Sequence, residues 1–247
     1  MAPLMLWNGV WAAGLKKADP RMFLELEELE PAEVLEKAPA GPEALGAESG
    51  EAWKLILVNA WCELDENFQV ELRALPNGMS VDARIYDDLM DMLEACRGEG
   101  LAPKICSAYR SRGTQKRLYN NKVARLRNAG YGSETAAVEA AHWVAVPGTS
   151  EHHTGLALDI VATSYQGLTR RQEKTAEQKW LMEHCWEYGF ILRYPDDKKD
   201  VTGIYYEPWH YRYVGREAAL EMRDSGLCLE EYLAEKTLEI GINTPKV

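Results

Sequence analysis

The chain has 247 residues, of which 46% are hydrophobic and 27% charged, and it carries a net charge of −11 at pH 7. This length predicts one substantial domain, or one domain with an appendage. The acidic charge argues against a general nucleic-acid-binding protein, because neutralising phosphates requires a basic surface. No stretch approaches the roughly 18 consecutive apolar residues of a membrane span. The five cysteines form no C-x-x-C pair and are interpreted as structural thiols.

Two parts of the chain differ in composition. Residues 1–50 are acidic, rich in Ala, Pro and Gly and poor in large apolar residues, so they are predicted to form a tail or linker. Residues 51–247 are predicted to form the compact domain. The first residues are apolar but lack a basic n-region, so they match a signal peptide poorly.

The first predicted elements of the domain are a strand and a helix. The apolar run WKLILVNAW, residues 53–61, has the length and flanks of a strand. Apolar residues recur at helical spacing over residues 81–97 and predict a helix, for which Gly98 and Gly100 offer a stop signal.

A short strand and two helices are expected next. PKICSAY, residues 103–109, is predicted to be the strand. The following helix has one apolar face, formed by Leu118, Tyr119, Val123 and Leu126. Ser133 is predicted to cap a third helix that runs to about Val144.

The segment VPGTS interrupts the chain before a strand that carries a carboxylate. Gly155 is predicted to lead into this strand, LALDIVA, residues 156–162. Alternation places Ala157 and Asp159 on one face and the larger apolar residues on the other. A fourth helix is predicted over about residues 173–188, ending at Gly189.

The last predicted elements are two strands and two helices, and with them the fold class can be predicted. FILRY (190–194) and WHYRYVG (209–215) are predicted strands separated by a loop that contains PDDKKD, and helices are expected over 216–224 and 229–236. Strands and helices do not alternate regularly. The sequence therefore predicts an α+β protein with a mainly antiparallel central sheet flanked by helices.

The carboxylate of Asp159 requires an explanation, because a buried carboxylate is costly unless it is paired, protonated or bound to a metal. His152 precedes its strand and His210 lies near a later one. With Asp159, these would give two imidazoles and a carboxylate, leaving a fourth zinc position for water, as catalytic zinc requires. Glu207, three residues before His210, would then be a general base.

This interpretation needs a particular local geometry. Residues three apart in an ideal strand point to opposite faces, so Glu207 and His210 converge only if Pro208 bends the chain or Glu207 precedes the strand. We expect such a bend, and we assign His153 no ligand role. Because the H-E-x-x-H motif is absent, the spacing of these residues alone indicates no more than a hydrolytic metal site. The alternative interpretation is that the four residues are unrelated polar groups of the surface and core.

Three motifs resemble those of one family. The pattern S-x-H-x-x-G-x-A-x-D, here Ser150 to Asp159, is followed by E-P-W-H, here Glu207 to His210. SAYRSRGTQ resembles the S-G-Y-R-S-x-x-x-Q motif, with Ala108 in place of glycine. Together they are similar to the VanY-type D-alanyl-D-alanine carboxypeptidases, zinc peptidases related to the vancomycin-resistance D,D-peptidases and dipeptidases. The resemblance covers about residues 53–235.

The resemblance implies a metal site and a catalytic group. It implies that residues 51–247 have the zinc D,D-peptidase fold and that His152, Asp159 and His210 hold Zn²⁺. It also implies that Glu207 is the catalytic acid/base.

The third motif implies substrate contacts. Arg110 would act in catalysis by stabilising charge on the scissile carbonyl oxygen, and it would contact the substrate. Ser150 and Gln115 would bind the terminal D-alanine or its carboxylate. Trp209 is expected to support the site by packing, whereas Arg112 is interpreted as a solvated charge at a helix start.

The expected function is removal of the terminal D-alanine from peptidoglycan stem peptides or D-Ala-D-Ala-terminated precursors. A D-Ala-D-Ala dipeptidase or another peptidoglycan peptidase is the close alternative. A non-catalytic wall-binding module is the other, but such a module needs no general base. Stem peptides lie outside the membrane, so we expect an envelope location, whereas the missing signal and the cysteines favour a cytoplasmic one.

Overall fold

A computed structural model of the chain describes residues 51–239. The acidic tail predicted over residues 1–50 therefore lies outside the described residues, and the division into tail and domain stays a prediction.

The segment that opens the described chain is not a strand. A 3₁₀ helix spans Ala52–Leu55, and the following residues form only an isolated bridge, so the strand predicted over WKLILVNAW is wrong. The carbonyl oxygens of Lys54 and Ile56 accept hydrogen bonds from Arg212 Nη2, at 2.9 and 2.7 Å. A guanidinium thus takes the place that a neighbouring strand would occupy on these carbonyls.

A short antiparallel hairpin follows, in addition to the predicted elements. Strand β1 is Leu72–Ala74 and strand β2 is Ser80–Asp82. The connection contains Asn77 and Gly78, and Gly78 has a φ of +82°. An Asn-Gly pair is a turn signal, so the sequence did carry this information.

The central sheet has four antiparallel strands within the described residues, in the order β3-β4-β6-β5. The strands are β3, Pro103–Ser107; β4, Ala157–Ala162; β5, Phe190–Leu192; and β6, His210–Tyr213. With the helices around it, the sheet confirms the predicted α+β class.

The helices follow the predicted order, with differences at their ends. They are α1, Tyr86–Gly98; α2, Arg112–Asn128; α3, Ser133–Ala141; α4, Ala176–His184; α5, Lys199–Thr202; α6, Arg216–Ser225; and α7, Leu229–Glu239. Additional 3₁₀ helices span Ala83–Ile85, Glu151–Thr154, Arg170–Lys174 and Cys185–Tyr188.

Three predictions on helix ends can be compared with the structure. The N-cap of α3 is Gly132 in extended geometry, so the predicted cap at Ser133 is wrong by one residue. Helix α5 begins inside the predicted loop PDDKKD. The fourth predicted helix is broken into α4 and two 3₁₀ turns, but it does end at Gly189, whose φ of +81° confirms the expected left-handed cap.

The sheet is covered by apolar residues, which hold β4 in place. Leu156, Leu158 and Ile160 pack with residues of α1 such as Leu89 and Met92 in one buried cluster. The predicted alternation along β4 is confirmed, because Asp159 lies on the other face. Burying each of these side chains contributes about 1.5–3 kcal/mol, so the strand that carries Asp159 is strongly fixed.

Candidate metal centre

The register of the sheet brings together two residues that are 51 positions apart. In the β4–β6 ladder Asp159 lies directly opposite His210. On its other side Asp159 pairs with Ser107 of β3, after an irregularity that follows Ile105. The sheet thus places Asp159 between His210 and the start of the third motif.

His152 reaches the same point from the 3₁₀ helix that precedes β4. The turn between them requires glycine, because Gly155 has a φ of +75° and a Cβ there would lie 2.8 Å from the Asp82 nitrogen. The ring is oriented by its Nδ1, which is 2.8 Å from the Ala108 carbonyl oxygen and can donate to it. This leaves Nε2 facing Asp159 Oδ2 at 3.4 Å.

The three side chains form a compact ligand set. His152, Asp159 and His210 each offer one ligand atom, and these atoms lie within 4.8 Å of one another. His210 Nδ1 is 3.0 Å from Asp159 Oδ1. Ligands about 2.0–2.2 Å from a tetrahedral zinc ion are roughly 3.3 Å apart. The spacing of these atoms therefore fits Zn²⁺.

The two imidazoles have opposite electrostatic environments. Burial and the nearby Arg110 lower the pKa of His152 to about 4, so its ring is neutral and can bind a metal. Burial also disfavours the charged form of His210, but the carboxylates of Asp159 and Glu151 outweigh it and raise the pKa of His210 to about 9. Binding of a metal at His210 Nδ1 would displace a proton.

Glu207 lies beside the ligand set but outside the strand. Strand β6 begins at His210, and the His210 N–H donates to the Glu207 carbonyl oxygen at 3.0 Å, so the expected bend before His210 is present. Glu207 Oε2 is 3.7 Å from His210 Nδ1. Burial raises the pKa of Glu207 to about 8, with Asp159 adding to the effect while His210 and Arg110 oppose it.

Arg110 is held firmly at the edge of the ligand set. Its Nη1 donates to Gln115 Oε1 at 2.8 Å, and its Nη2 donates to Ser107 Oγ at 2.6 Å and lies 3.7 Å from Asp159 Oδ2. Gln115 in turn donates to the Ala145 carbonyl oxygen at 2.6 Å. The amide of Gln115 thus fixes the guanidinium of Arg110.

The remaining residues of the motifs occupy distinct positions. Ser150 and Trp209 are buried and line the cleft above the ligand set. His153 uses both ring nitrogens within the protein, Nδ1 at 2.6 Å from the Arg110 carbonyl oxygen and Nε2 accepting from the Gly148 N–H at 3.2 Å.

Arg112 begins α2 and its side chain is 33% exposed, as expected of a charge at a helix start, but it is also paired. Its Nη1 donates to Glu63 Oε1 at 3.1 Å, and its Nη2 donates to the carbonyl oxygen of Leu64. The start of α2 is thereby tied to an earlier loop. The sequence could not show this contact, because the two segments are 49 residues apart.

A buried group of charges lies behind the ligand set and has no local signature in the sequence. Glu151 Oε1 accepts from Arg193 Nε and Arg212 Nη1, both at 2.7 Å, and Arg193 also donates to both oxygens of Glu230, at 2.8 and 2.6 Å. We call Glu151, Arg193, Arg212 and Glu230 the ionic cluster. Its members come from four separate parts of the chain, so no local motif reveals it.

The cleft over the ligand set has a volume of about 380 Å³. Beyond Glu207 it continues along α2, where Leu118, Lys122 and Arg125 line it, and Trp143 forms part of its wall. A larger cavity of about 620 Å³ lies between the start of the described chain and helices α6 and α7. We place the site at the smaller cleft because it alone contains the metal-ligand set found in residues 51–239.

Two further expectations can be compared with the described residues. All five cysteines fall within residues 51–239 and are free thiols there. In the same part of the chain, no helix combines the length and apolar character needed to cross a bilayer.

Comparison of the chain with known proteins identifies the same family as the three motifs. Residues 78–216 match the VanY family, described as D-alanyl-D-alanine carboxypeptidase. A D-alanyl-D-alanine carboxypeptidase of Enterococcus faecalis is 46% identical over 181 residues, which cover 73% of this chain and 66% of that protein.

Solved structures show the same likeness. A point mutant of the vancomycin-resistance D,D-pentapeptidase VanY from a VanB-type cassette, in complex with Zn(II), is 45% identical with a TM-score of 0.68. The match covers 73% of this chain and 99% of that one. VanYB in complex with D-alanine-D-alanine is 46% identical with a TM-score of 0.68, and the match covers 73% and 97% of the two chains.

Proposed function

The chain belongs to the VanY family of D-alanyl-D-alanine carboxypeptidases, and we propose that it removes the C-terminal D-alanine of peptidoglycan stem or precursor peptides by zinc-dependent hydrolysis. The observation that carries this proposal is the position of Glu207. A nearly buried carboxylate, 12% exposed, lies 3.7 Å from the ligand nitrogen of His210, on the side of the ligand set that faces the cleft.

The ligand set would hold Zn²⁺ through His152 Nε2, a carboxylate oxygen of Asp159 and His210 Nδ1. Bound there, the ion supplies Lewis acidity toward the scissile carbonyl and toward water. The protein fixes both imidazoles before the metal arrives, because His152 is tied to the Ala108 carbonyl and His210 pairs with Asp159 across the sheet.

Glu207 would handle the proton. It accepts a proton from the water molecule that attacks the carbonyl carbon, and it returns this proton to the amine of D-alanine as the carbon–nitrogen bond breaks. The products are D-alanine and a peptide that is one residue shorter. Burial raises the pKa of Glu207 to about 8, and the positive charge of bound Zn²⁺ would counteract this shift and favour the carboxylate that accepts the proton.

Arg110 would stabilise the negative charge that develops on the carbonyl oxygen. Its guanidinium is fixed by Gln115 and Ser107, so no reorganisation is needed when the charge appears. Ser150 and Gln115 are proposed to contact the terminal D-alanine or its carboxylate. Both residues line the cleft.

The shape and charge of the cleft favour a substrate longer than a dipeptide. Its far end is formed by α2, from which the basic side chains of Lys122 and Arg125 line the cleft. Lys122 Nζ lies 4.4 Å from the centre of the Trp143 ring, which keeps one charge at the cleft wall. In a chain of net charge −11, this basic strip suits a peptide with carboxylates upstream of the scissile bond.

The proposal is tested by D-alanine release from the zinc-loaded protein. We expect release of D-alanine from a muramyl-type pentapeptide that ends in D-Ala-D-Ala, and little release of L-alanine from the same peptide ending in D-Ala-L-Ala. Faster release from free D-Ala-D-Ala would instead support the dipeptidase. Zinc binding without release from either substrate would overturn the enzymatic proposal in favour of a wall-binding module.

We further propose that the protein acts in the cell envelope, because that is where mature stem peptides occur. Fractionation of the native host with an antibody against residues 51–239 tests this location. Recovery in the cytoplasm alone would contradict it and would point to precursor peptides as the substrate.

A further inference from the structure

Two buried polar atoms of the described residues have no hydrogen-bond partner, and they face each other. They are Oε2 of Glu151 and Nε2 of His210, which are 3.6 Å apart. Leaving a buried donor or acceptor unpaired is costly. A shift of about half an ångström would bring the pair to hydrogen-bond distance.

The orientation of the His210 ring connects this pair of atoms to the proposed metal site. Its Nδ1 faces Asp159 at 3.0 Å and Glu207 at 3.7 Å, which is the side of the proposed metal. Its Nε2 is therefore on the far side of the ring and points into the protein, toward Glu151. A histidine that binds a metal through one nitrogen commonly donates its other N–H to a carboxylate, which fixes the tautomer and the ring orientation.

Glu151 is itself held in a fixed position. Its side chain is fully buried, and Oε1 is occupied by Arg193 and Arg212, both at 2.7 Å, so Oε2 is the oxygen left for His210. Arg193 also donates its backbone N–H to the His210 carbonyl oxygen at 3.1 Å. The ionic cluster thus holds both the ring and the backbone of His210.

Stability alone does not account for such a cluster. Burying ion pairs costs desolvation energy, and apolar residues of similar volume are often as stable or more so. The ionic cluster contains two carboxylates and two guanidiniums, so its charges balance, and its one unpaired oxygen is directed at a proposed metal ligand.

We propose that Glu151 is a positioning residue for the metal centre. It accepts a hydrogen bond from His210 Nε2–H, keeps that ring in the tautomer whose Nδ1 binds the metal, and depends on Arg193 and Arg212 for its own position. His152 is held differently, by the neutral carbonyl of Ala108. The inference rests on the zinc ligands of the proposed function, but it assigns a role to a residue outside that set.

The test compares Glu151→Gln with Glu230→Gln. Both variants remove one carboxylate from the ionic cluster, but Glu230 contacts Arg193 and Asn59 rather than His210. In Glu151→Gln the amide presents its NH₂ group either to His210 Nε2–H or to the guanidiniums, so one contact is lost. The dissociation constant for zinc is measured by competition with a chelator, alongside the melting temperature and D-alanine release.

We expect both variants to melt at a lower temperature, and only Glu151→Gln to bind zinc more weakly, by about 10- to 100-fold. Equal zinc affinities for the two variants, or an unchanged affinity for Glu151→Gln, would overturn the inference and leave the ionic cluster a purely structural feature. If wild-type protein binds zinc without releasing D-alanine, the proposed function fails while the positioning role can still be measured.

A second measurement needs no variant, and so it does not depend on whether Glu151→Gln folds. Long-range ¹H–¹⁵N correlation spectra of the zinc-loaded wild-type protein report which ring nitrogen of His210 carries a proton. We expect a proton on Nε2 that exchanges slowly with water. A proton on Nδ1, or rapid exchange at Nε2, would contradict the inference.

Discussion

The ring of His210 lies between two glutamates whose surroundings are opposite. On the cleft side, Glu207 is 3.7 Å from Nδ1, and burial raises its pKa to about 8. On the interior side, Glu151 is 3.6 Å from Nε2. Burial alone would raise the pKa of Glu151 as well, but Arg193 and Arg212 outweigh it and hold that pKa below the usual range.

The difference shows how one residue type acquires two roles. A carboxyl group whose pKa lies near the working pH can exchange protons during turnover, as Glu207 is proposed to do. A carboxylate fixed between two guanidiniums stays charged and can only accept, which suits Glu151 for holding a ring in place. The surroundings, and not the residue type, separate the side proposed to perform chemistry from the side proposed to position the metal.

Removal of a proposed metal ligand is expected to have the largest effect. Asp159→Ala should abolish stoichiometric zinc binding and lower D-alanine release by at least about 10³-fold, because the metal supplies several kcal/mol of charge stabilisation. Zinc content and release are measured on the same sample. Asp224→Ala, at an exposed position that pairs with Arg223, is the control. Retained zinc and turnover in Asp159→Ala would contradict the ligand set.

On the cleft side, Arg110→Lys keeps the charge but loses the fork that binds Gln115 and Ser107. We expect kcat to fall by about 10²–10³-fold, as when one donor to a developing oxyanion is removed, with zinc binding unchanged. Arg112→Lys is the matched control, because Arg112 contacts Glu63 away from the cleft. Equal losses in the two variants would remove the catalytic role from Arg110.

A smaller effect is expected at the far end of the cleft. Lys122→Ala should raise KM for the pentapeptide by about 3- to 10-fold, as expected when an exposed charge contact worth roughly 1 kcal/mol is lost, and leave hydrolysis of free D-Ala-D-Ala unchanged. Lys116→Ala, on the same helix but outside the cleft, is the control. An equal change in KM for both substrates would show that this end of the cleft does not contact the upstream part of the peptide.

The smallest effect is expected in the interior beside Asp159. The Cys106 thiol donates to the Asp159 carbonyl oxygen at 3.5 Å, and burial, with the Asp159 charge, raises its pKa to about 12. The thiol therefore stays protonated at pH 8 and becomes reactive only as the pH approaches that value. Iodoacetamide at pH 8 should leave D-alanine release unchanged, and mass spectrometry should find Cys106 unmodified. Rapid inactivation with alkylation at Cys106 would be the contrary result.

The sequence was sufficient for the cleft side of the site. His152 and Asp159 belong to one short motif and Glu207 and His210 to another, and the resemblance of both motifs to the VanY family predicted that these residues act together. The mainly antiparallel sheet was also predictable, because strands and helices do not alternate along the chain. What the sequence could not give was the β4–β6 register that places Asp159 opposite His210.

The interior side could not be predicted, because its contacts join distant segments. Glu151 is 42 residues from Arg193 and 61 from Arg212, and the segments FILRY and WHYRYVG that carry the two arginines indicated strands but no charge pairing. The same cluster explains the wrong strand at WKLILVNAW, since Arg212 also binds the backbone carbonyls of Lys54 and Ile56. Apolar periodicity in a sequence indicates which residues are buried, but it does not indicate which groups form hydrogen bonds with their backbone.

The most direct measurement compares Glu207→Gln and Glu151→Gln for both zinc affinity and kcat at saturating zinc. Glu207→Gln should bind zinc normally while kcat falls by about 10²–10⁴-fold, as expected when the group that transfers the proton is lost. Glu151→Gln should bind zinc about 10- to 100-fold more weakly and regain most of its kcat once zinc is saturating. Near wild-type turnover in Glu207→Gln would contradict the division of roles around His210.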